Sequence, residues 1–126
     1  MPDSLAGVVL AAGGGTRLSP LTRLRPKALC PVAGVPLVDR AIERVRAVTG
    51  EIAVNVHHGR DQLEDHLAGR LHVSVEEVLL GTAGALGRLR PWIGGRDVVV
   101  VNADLVTSAD LVTAVDLWDR ATTTLL

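Results

Sequence analysis

Ala6-Gly-Val-Val-Leu-Ala-Ala-Gly-Gly-Gly15 is an apolar run that ends in three consecutive glycines. A short run of this kind, bounded by glycine, predicts a buried β-strand that feeds a loop. Three further strands are expected at 51–56, at 71–75 and at 97–102, where four consecutive valines favour a central strand. Because helical patterns separate these strands, the sequence predicts an α/β fold. We expect the Rossmann-like, doubly wound type, with a mainly parallel sheet and helices on both faces.

The expected helices are bounded by glycine, proline and a capping serine. They run from Pro36 to Gly50, from Arg60 to Leu67, from a loop at Gly81 to Leu89 before Pro91, and from Ser108 as N-cap onward. In the last helix, Leu111, Val115 and Trp118 are expected on the buried face. In the strand at 71–75, apolar and polar residues alternate. This alternation predicts that His72, Ser74 and Glu76 face solvent.

The composition limits the classes of protein to which this chain can belong. Its 126 residues predict a single domain, residues 1–126, and 48% apolar residues with no Tyr or Phe predict a core of aliphatic side chains. A net charge of −1 without long runs of one sign indicates neither a nucleic-acid partner nor a membrane partner. The single cysteine excludes an internal disulfide. The first residues, Met1-Pro-Asp-Ser4, lack the basic region of a signal peptide, so we expect none. We expect a cytoplasmic, bacterial protein, and the sequence does not indicate its oligomeric state.

Lys27 is the one lysine of the chain, against twelve arginines, and it closely follows the glycine loop. The compact ammonium of lysine acts as a point charge among phosphate oxygens, where a guanidinium would not fit. The glycines at 13–15 let backbone N–H groups approach phosphate closely. Thr16 adds a hydroxyl and Arg17 a bidentate donor. Although the spacing is neither a Walker A loop nor Gly-x-Gly-x-x-Gly, we predict a phosphate site here rather than a simple turn.

Two later segments complete the predicted site. Leu80-Gly-Thr-Ala-Gly-Ala-Leu86 is rich in small residues, which let a flat base lie against the backbone; alternatively, Thr82 simply caps a helix. Asp104 follows the four valines, at the carboxyl end of a strand, where doubly wound sheets bind ligands. A carboxylate there would hold Mg²⁺, which neutralises phosphates. The alternative is a loop aspartate that caps the next helix.

The stretches 10–22 and 26–37 resemble the signature of the sugar-1-phosphate nucleotidyltransferases, also called nucleotide-sugar pyrophosphorylases. The resemblance implies that a sugar-1-phosphate attacks the α-phosphorus of a nucleoside triphosphate, with Mg²⁺ as cofactor. It assigns phosphate stabilisation to Arg17 and Lys27, as the catalytic residues, and magnesium binding to Asp104, although Ala103 replaces a glycine of the family's pattern. The residues implied to bind the nucleotide are Leu10, Ala11, Ala12, Gly13, Gly14, Gly15, Thr16, Gly81, Thr82, Ala83 and Gly84.

The resemblance covers nearly the whole chain but only the nucleotide-binding half of the family's domain. We therefore expect an incomplete fold, and whether residues 1–126 alone are active stays open. The segment 80–84 is similar to the family's base-reading segment and favours GTP with mannose 1-phosphate, with uridylyl and thymidylyl transfer as alternatives. Two other classes also stay open. One is a non-catalytic nucleotide-binding or regulatory protein on the same fold, and the other is a nucleotidyltransferase with a non-sugar acceptor, such as phosphocholine.

Overall fold

The computed structural model describes residues 5–13 and 19–125. The elements, in chain order, are β1 (Leu5–Leu10), β2 (Pro31–Val32), β3 (Val35–Pro36), α1 (Leu37–Arg46), β4 (Ile52–Val56), α2 (Arg60–Leu67), β5 (His72–Val75), α3 (Gly81–Ile93), β6 (Asp97–Asn102) and α4 (Leu111–Leu117). Four strands form a parallel sheet in the order β5-β4-β1-β6, and β2 and β3 form a small antiparallel ribbon. The predicted α/β fold with a mainly parallel sheet is confirmed.

The helices pack on both faces of the sheet because side chains of successive strand residues point to opposite faces. One face carries Val9 and Val54, which pack against α1 and α2. The other face carries Val8 and Ala53, which pack against Leu89 of α3. Helix α1 approaches β1 closely: a Cβ on Gly7 would lie 2.2 Å from Cγ1 of Val45. The predicted three-layer arrangement therefore follows from the two-residue period of β1 and β4.

Strand β6 lies at an edge of the described sheet, and the prediction of a central strand is not met there. Over residues 5–13 and 19–125, β6 pairs with β1 alone. Val100 is 39% exposed, and α4, which follows β6, has no fully buried side chain. Leu111, Val115 and Trp118 are half-buried rather than buried. Four valines thus predicted the strand correctly but not its place in the described sheet.

Three helix boundaries differ from those predicted. Helix α1 ends at Arg46 rather than Gly50. In the connection that follows, Thr49 Oγ1 donates to the carbonyl of Leu5 in β1 at 2.8 Å. Helix α3 continues through Pro91 to Ile93, and Gly94, with a left-handed φ of 61°, is its C-cap. A proline removes one helical hydrogen bond, and this loss is tolerated in the last turn.

The start of α4 also differs from the prediction. Asp110, not Ser108, is the N-cap of α4, since its side chain accepts from the backbone N–H of Thr113 at 3.1 Å.

The predicted exposure of this face is confirmed at His72 but was wrong for Ser74 and Glu76. Ser74 is 7% exposed and Glu76 only 1%. Helix α3 lies over this face of β5, as the stacking of its Trp92 on His72 shows, with ring centroids 5.4 Å apart. Alternation of polar and apolar residues indicates solvent only where nothing covers the polar face. Here the face is covered at Ser74 and Glu76, which are buried, while His72 stays exposed.

None of the helices within the described ranges is long and apolar enough to cross a lipid bilayer.

Asp39 joins the first turn of α1 to the end of α2. One carboxylate oxygen accepts from His66 Nε2 at 2.7 Å, and the other accepts from Arg70 Nη1 at 2.8 Å. Burial alone would raise the pKa of the Asp39 carboxyl, but the hydrogen bonds and charges of Arg70 and His66 outweigh it. The net effect lowers this pKa below its ordinary value of 3.8. The ionised form of Asp39 therefore stabilises the folded state.

Asp39→Asn should lower the free energy of unfolding at pH 7 by about 1.5–3 kcal/mol, the range of a hydrogen bond to a charged group. A carboxyl whose pKa is lower in the folded state stabilises the fold above its unfolded pKa, and this contribution disappears as the pH falls through the folded pKa. The difference between wild type and variant should therefore shrink below about pH 4, which denaturant unfolding at several pH values would show. Asp65→Asn, at an exposed position of α2, is the control, and an equal loss at all pH values would contradict this account.

Candidate functional site

A cleft of about 300 Å³ opens at the carboxyl ends of β1, β4 and β6 and beside the first turn of α3. Strand β1 at the centre provides one wall, and the segment leading into α3 provides the opposite one. The lining residues are Leu10, Ala11, Ala12, Gly13, Lys27, Ala28, Asn55, Glu76, Leu79, Gly81, Thr82, Asn102, Ala103 and Asp104. Carboxyl ends of parallel strands are where doubly wound sheets bind ligands.

The cleft brings together predicted residues from four separate parts of the sequence. These are Leu10, Ala11, Ala12, Gly13, Lys27, Gly81, Thr82 and Asp104. Ala83 and Gly84 are placed further along α3 and do not line the cleft. Gly14, Gly15, Thr16 and Arg17 lie outside the described residues, so their predicted roles stay predictions.

Lys27 and Asp104 face each other across the cleft. Lys27 Nζ donates to Asp104 Oδ2 at 3.1 Å, with 32% of the lysine side chain and 53% of the aspartate side chain exposed. An ion pair this exposed contributes little to stability, typically below about 1 kcal/mol. A ligand that brings phosphates and a divalent cation can therefore replace the pair at small cost. On ligand binding, the ammonium of Lys27 could thus bind a phosphate and the carboxylate of Asp104 could bind a cation.

The position of Lys27 depends on the turn that carries it. Lys27–Leu29 is a single 3₁₀ turn, closed by the N–H of Cys30 donating to the carbonyl of Lys27 at 3.0 Å. The preceding Pro26 packs against Gly59, the residue before α2: a Cβ on Gly59 would lie 2.7 Å from Cβ and Cγ of Pro26. Gly59 also has a left-handed φ of 66°. Glycine at position 59 therefore lets the Lys27 turn sit close to the sheet.

Gly59→Ala should destabilise the fold by about 2–4 kcal/mol, because it adds the cost of a left-handed residue to a clash with Pro26. Gly69→Ala is the matched control: Gly69 has a similar φ of 72°, but nothing lies within 4 Å of a Cβ there. This control should cost only the conformational part, about 1–2 kcal/mol. Equal losses in the two variants, measured by denaturant unfolding, would mean that the contact with Pro26 is unimportant.

The opposite wall of the cleft depends on two glycines at the start of α3. Gly81 has a left-handed φ of 74°, which a glycine adopts without strain. Gly84 makes room for the side chain of Leu80, whose Cβ would lie 2.7 Å from a Cβ at position 84. Among the described residues, no side chain caps this helix, so the alternative role of Thr82 as N-cap is not observed. Instead, Thr82 lines the cleft within the first turn of α3.

Asn55 and Glu76 line the cleft but were not predicted. Asn55 Oδ1 accepts from the backbone N–H of Ala11 at 2.7 Å, and Asn55 Nδ2 donates to Glu76 at 2.8 Å. Both side chains are buried, at 4% and 1% exposure. One signal was present in the sequence, since Asn55 is the single polar residue of the apolar run 52–56. Nothing comparable marked Glu76, whose burial depends on α3.

The donors at the cleft suit Mg²⁺, which takes oxygen ligands and often uses one or two carboxylates together with substrate phosphates. Asp104 supplies a carboxylate at the rim, and Asn102 lies nearby in the same wall. In the part of the chain that the structure describes, no group of three or more His, Cys, Asp or Glu side chains could hold a metal ion. Asp104 is therefore suited to share a cation with a bound phosphate group.

A second, larger groove of about 670 Å³ lies between β6, α4 and the segment 122–125. Its lining combines aliphatic side chains with Arg44, Arg96, Asp97 and several threonines, and none of the predicted phosphate, base or metal residues that the structure describes contributes to it. The predicted nucleotide-binding residues in the described part of the chain therefore meet at the smaller cleft.

Residues 6–125 match the family model described as nucleotidyl transferase. The chain is 42% identical to N-acetylmuramate alpha-1-phosphate uridylyltransferase of Caulobacter vibrioides, over 79% of this chain and 45% of that protein. It is 35% identical to the bifunctional protein GlmU of Methanococcus vannielii, over 79% of this chain and 24% of that protein. The chain thus spans less than half the length of these relatives.

The fold is also similar to that of solved structures. A Bacillus anthracis protein described as a glucose-1-phosphate thymidylyltransferase superposes with a TM-score of 0.81 at 25% identity, over 89% of this chain and 49% of that one. The CTP:phosphocholine cytidylyltransferase of Streptococcus pneumoniae superposes with a TM-score of 0.70 at 24% identity, over 86% of this chain and 48% of that one. The second likeness shows the fold alone.

Proposed function

The chain belongs to the nucleotidyl transferase family, in the N-terminal part that it shares with sugar-1-phosphate nucleotidyltransferases, and on this basis we propose that the protein transfers a nucleoside monophosphate from a nucleoside triphosphate to a sugar-1-phosphate. The products are a nucleotide-sugar and pyrophosphate. The observation that carries this proposal is the facing pair of Lys27 and Asp104, which lies in a cleft walled by β1 and by the first turn of α3.

In the proposed reaction, a phosphate oxygen of the sugar-1-phosphate forms a new bond to the α-phosphorus. The bond from the α-phosphorus to the bridging oxygen breaks, and pyrophosphate leaves with that electron pair. Such a displacement needs positioning and charge neutralisation more than covalent catalysis. Lys27, with Arg17, would neutralise the charge of the reacting and leaving phosphates. The glycines at 13–15 and Thr16 would bind phosphate through N–H and hydroxyl groups.

Mg²⁺ is the proposed cofactor, and Asp104 would hold it beside the phosphates. When bound, the ion supplies positive charge that neutralises the triphosphate. Backbone groups at Leu10, Ala11 and Gly81 would contact the nucleoside, since small residues on both walls let a flat base lie against the backbone. A cytoplasmic location is part of the same proposal.

The names of the relatives bear on the choice of base. The segment 80–84 favoured GTP and mannose 1-phosphate, but two of the similar proteins carry uridylyl and thymidylyl names. We therefore propose a pyrimidine nucleotide, with UTP as the first candidate. The name of the Caulobacter vibrioides relative makes N-acetylmuramate 1-phosphate the first acceptor to test.

Pyrophosphate release by the protein of the complete reading frame would test this function. UTP, dTTP, CTP, GTP and ATP would each be paired with a panel of sugar-1-phosphates and with phosphocholine, in the presence of Mg²⁺. We expect release with a pyrimidine triphosphate and a sugar-1-phosphate. Release with phosphocholine alone would favour a non-sugar acceptor. Nucleotide binding without any release would instead favour a non-catalytic nucleotide-binding protein.

A further inference from the structure

A chain of hydrogen bonds runs beneath the cleft and joins its two walls. It begins at the backbone N–H of Ala11, which donates to Asn55 Oδ1 at 2.7 Å. Asn55 Nδ2 donates to Glu76 Oε2 at 2.8 Å. The backbone N–H of Leu80 donates to Glu76 Oε1 at 3.1 Å. Three parts of the chain that are far apart in sequence, at Ala11, at Asn55 and at 76–80, are thereby connected across the width of the site.

The direction of each hydrogen bond in this network is fixed by the two backbone N–H groups at its ends, those of Ala11 and Leu80. Backbone N–H groups can only donate, so the oxygen of Asn55 must face Ala11 and its NH₂ must face Glu76. Glu76 then receives one donor from Asn55 and a second from Leu80. It must accept at both oxygens, as a carboxylate does and an amide cannot. The network therefore requires a carboxylate at position 76 for as long as position 55 is an amide.

The segment that leads into α3 depends on this carboxylate. Between Glu76 and Leu80, the side chains of Val78 and Leu79 are 71% and 52% exposed, so burial contributes little to holding the segment. The backbone of Glu76 is itself fixed: its N–H donates to Val56 at 2.8 Å, and its carbonyl accepts from His57 Nδ1 at 2.7 Å. Glu76 is thus a rigid attachment point for a segment with few other contacts.

We propose that Asn55 and Glu76 are positioning residues that set the distance between the Ala11 wall and the Gly81 turn. This proposal rests on the proposed function, because the property that it governs is the affinity for the nucleoside. Both residues act through backbone groups on the two walls rather than on the reacting phosphates. Their loss should raise the KM for the nucleoside triphosphate and change kcat at saturating substrate much less.

Glu76→Gln tests the network with the smallest change of shape. Whichever way the new amide turns, its NH₂ faces a donor, either Asn55 or the N–H of Leu80. Leaving a buried donor unsatisfied is costly, so the KM for the nucleotide should rise by about 10-fold. Asn55→Asp should have a similar effect, because it places two carboxylates side by side.

The double variant N55D/E76Q should restore the network. The carboxylate at position 55 accepts from the N–H of Ala11 and from the amide NH₂ at position 76, whose oxygen accepts from the N–H of Leu80. Every donor again has an acceptor, and the negative charge now lies at position 55 instead of position 76. A KM within about threefold of wild type is the expected result. Glu77→Gln is the control, since this neighbour makes an exposed ion pair with Arg60 and should leave KM unchanged.

Hydrogen exchange of the Leu80 amide, measured by NMR without nucleotide, gives a second readout. Exchange should be faster in Glu76→Gln, and wild-type protection should return in N55D/E76Q. Unchanged Leu80 protection and KM in Glu76→Gln, or failure of a folded double variant to recover either, would overturn the proposal. If wild type neither binds nor turns over any nucleoside triphosphate, the proposed function fails, but the exchange measurement still decides whether the network positions the segment.

Discussion

Lys27→Ala is expected to lower kcat/KM for pyrophosphate release by about 10²–10³-fold, the loss typical of one preorganised donor to developing charge. The structure supports an effect of this size. Lys27 lines the cleft and is the single lysine of the chain, so no other lysine side chain can replace it. Its removal also takes away the partner that Asp104 has in the free protein, 3.1 Å from Lys27 Nζ. Steady-state kinetics of the protein of the complete reading frame would measure the loss.

Arg25→Ala is the matched control for Lys27→Ala. Arg25 is an exposed cation two residues away and does not line the cleft, so the control removes the same formal charge from outside the site. Its kinetics should stay within about twofold of wild type. Equal losses in the two variants would indicate a general effect of net charge. Retained turnover in Lys27→Ala would exclude the proposed role of the lysine.

Asp104→Asn should raise the Mg²⁺ concentration needed for half-maximal activity. Mutation of a residue that only orients a metal ligand typically lowers the metal affinity about 10–100-fold. Mutation of a residue that binds the ion directly should lower it at least about as much. The amide keeps the shape of the side chain and can still accept from Lys27, so the fold should be preserved. Magnesium titrations of pyrophosphate release at saturating substrate would measure the shift.

The control for Asp104→Asn is Asp61→Asn, at an exposed position of α2 outside the cleft. This variant should keep the wild-type dependence on magnesium. A uniform loss of activity in Asp104→Asn, with no shift along the magnesium axis, would be evidence that Asp104 does not hold the ion. In that case its main role would be the ion pair with Lys27.

The strands were predictable from local patterns. The apolar run before the glycines and the four valines mark β1 and β6, and the prediction for β6 agrees at both ends. The location of the cleft was predictable as well, because carboxyl ends of parallel strands meet at one edge of the sheet. Lys27 and Asp104, 77 positions apart, could therefore be placed in one site from the sequence.

Properties that depend on tertiary contacts were not predictable in this way. The alternation in β5 placed Ser74 and Glu76 on one face but could not show that α3 covers that face. For the same reason the pairing of Asn55 with Glu76 could not be predicted, since it joins residues 21 positions apart.

Pro91 shows a limit of a different kind. Proline often ends a helix, but in the last turn of α3 its cost is small enough to be tolerated.

The most direct test of the account is to titrate a Mg²⁺–UTP complex into ¹⁵N-labelled protein and to map the amide chemical shifts. The account predicts changes at the amides of the smaller cleft, at Leu10–Gly13, at Lys27 and Ala28, at Gly81 and Thr82, and at Ala103 and Asp104. Helices α2 and α4 should be unaffected. Changes centred on the larger groove between β6 and α4, or no changes with any nucleoside triphosphate in a folded protein, would contradict it.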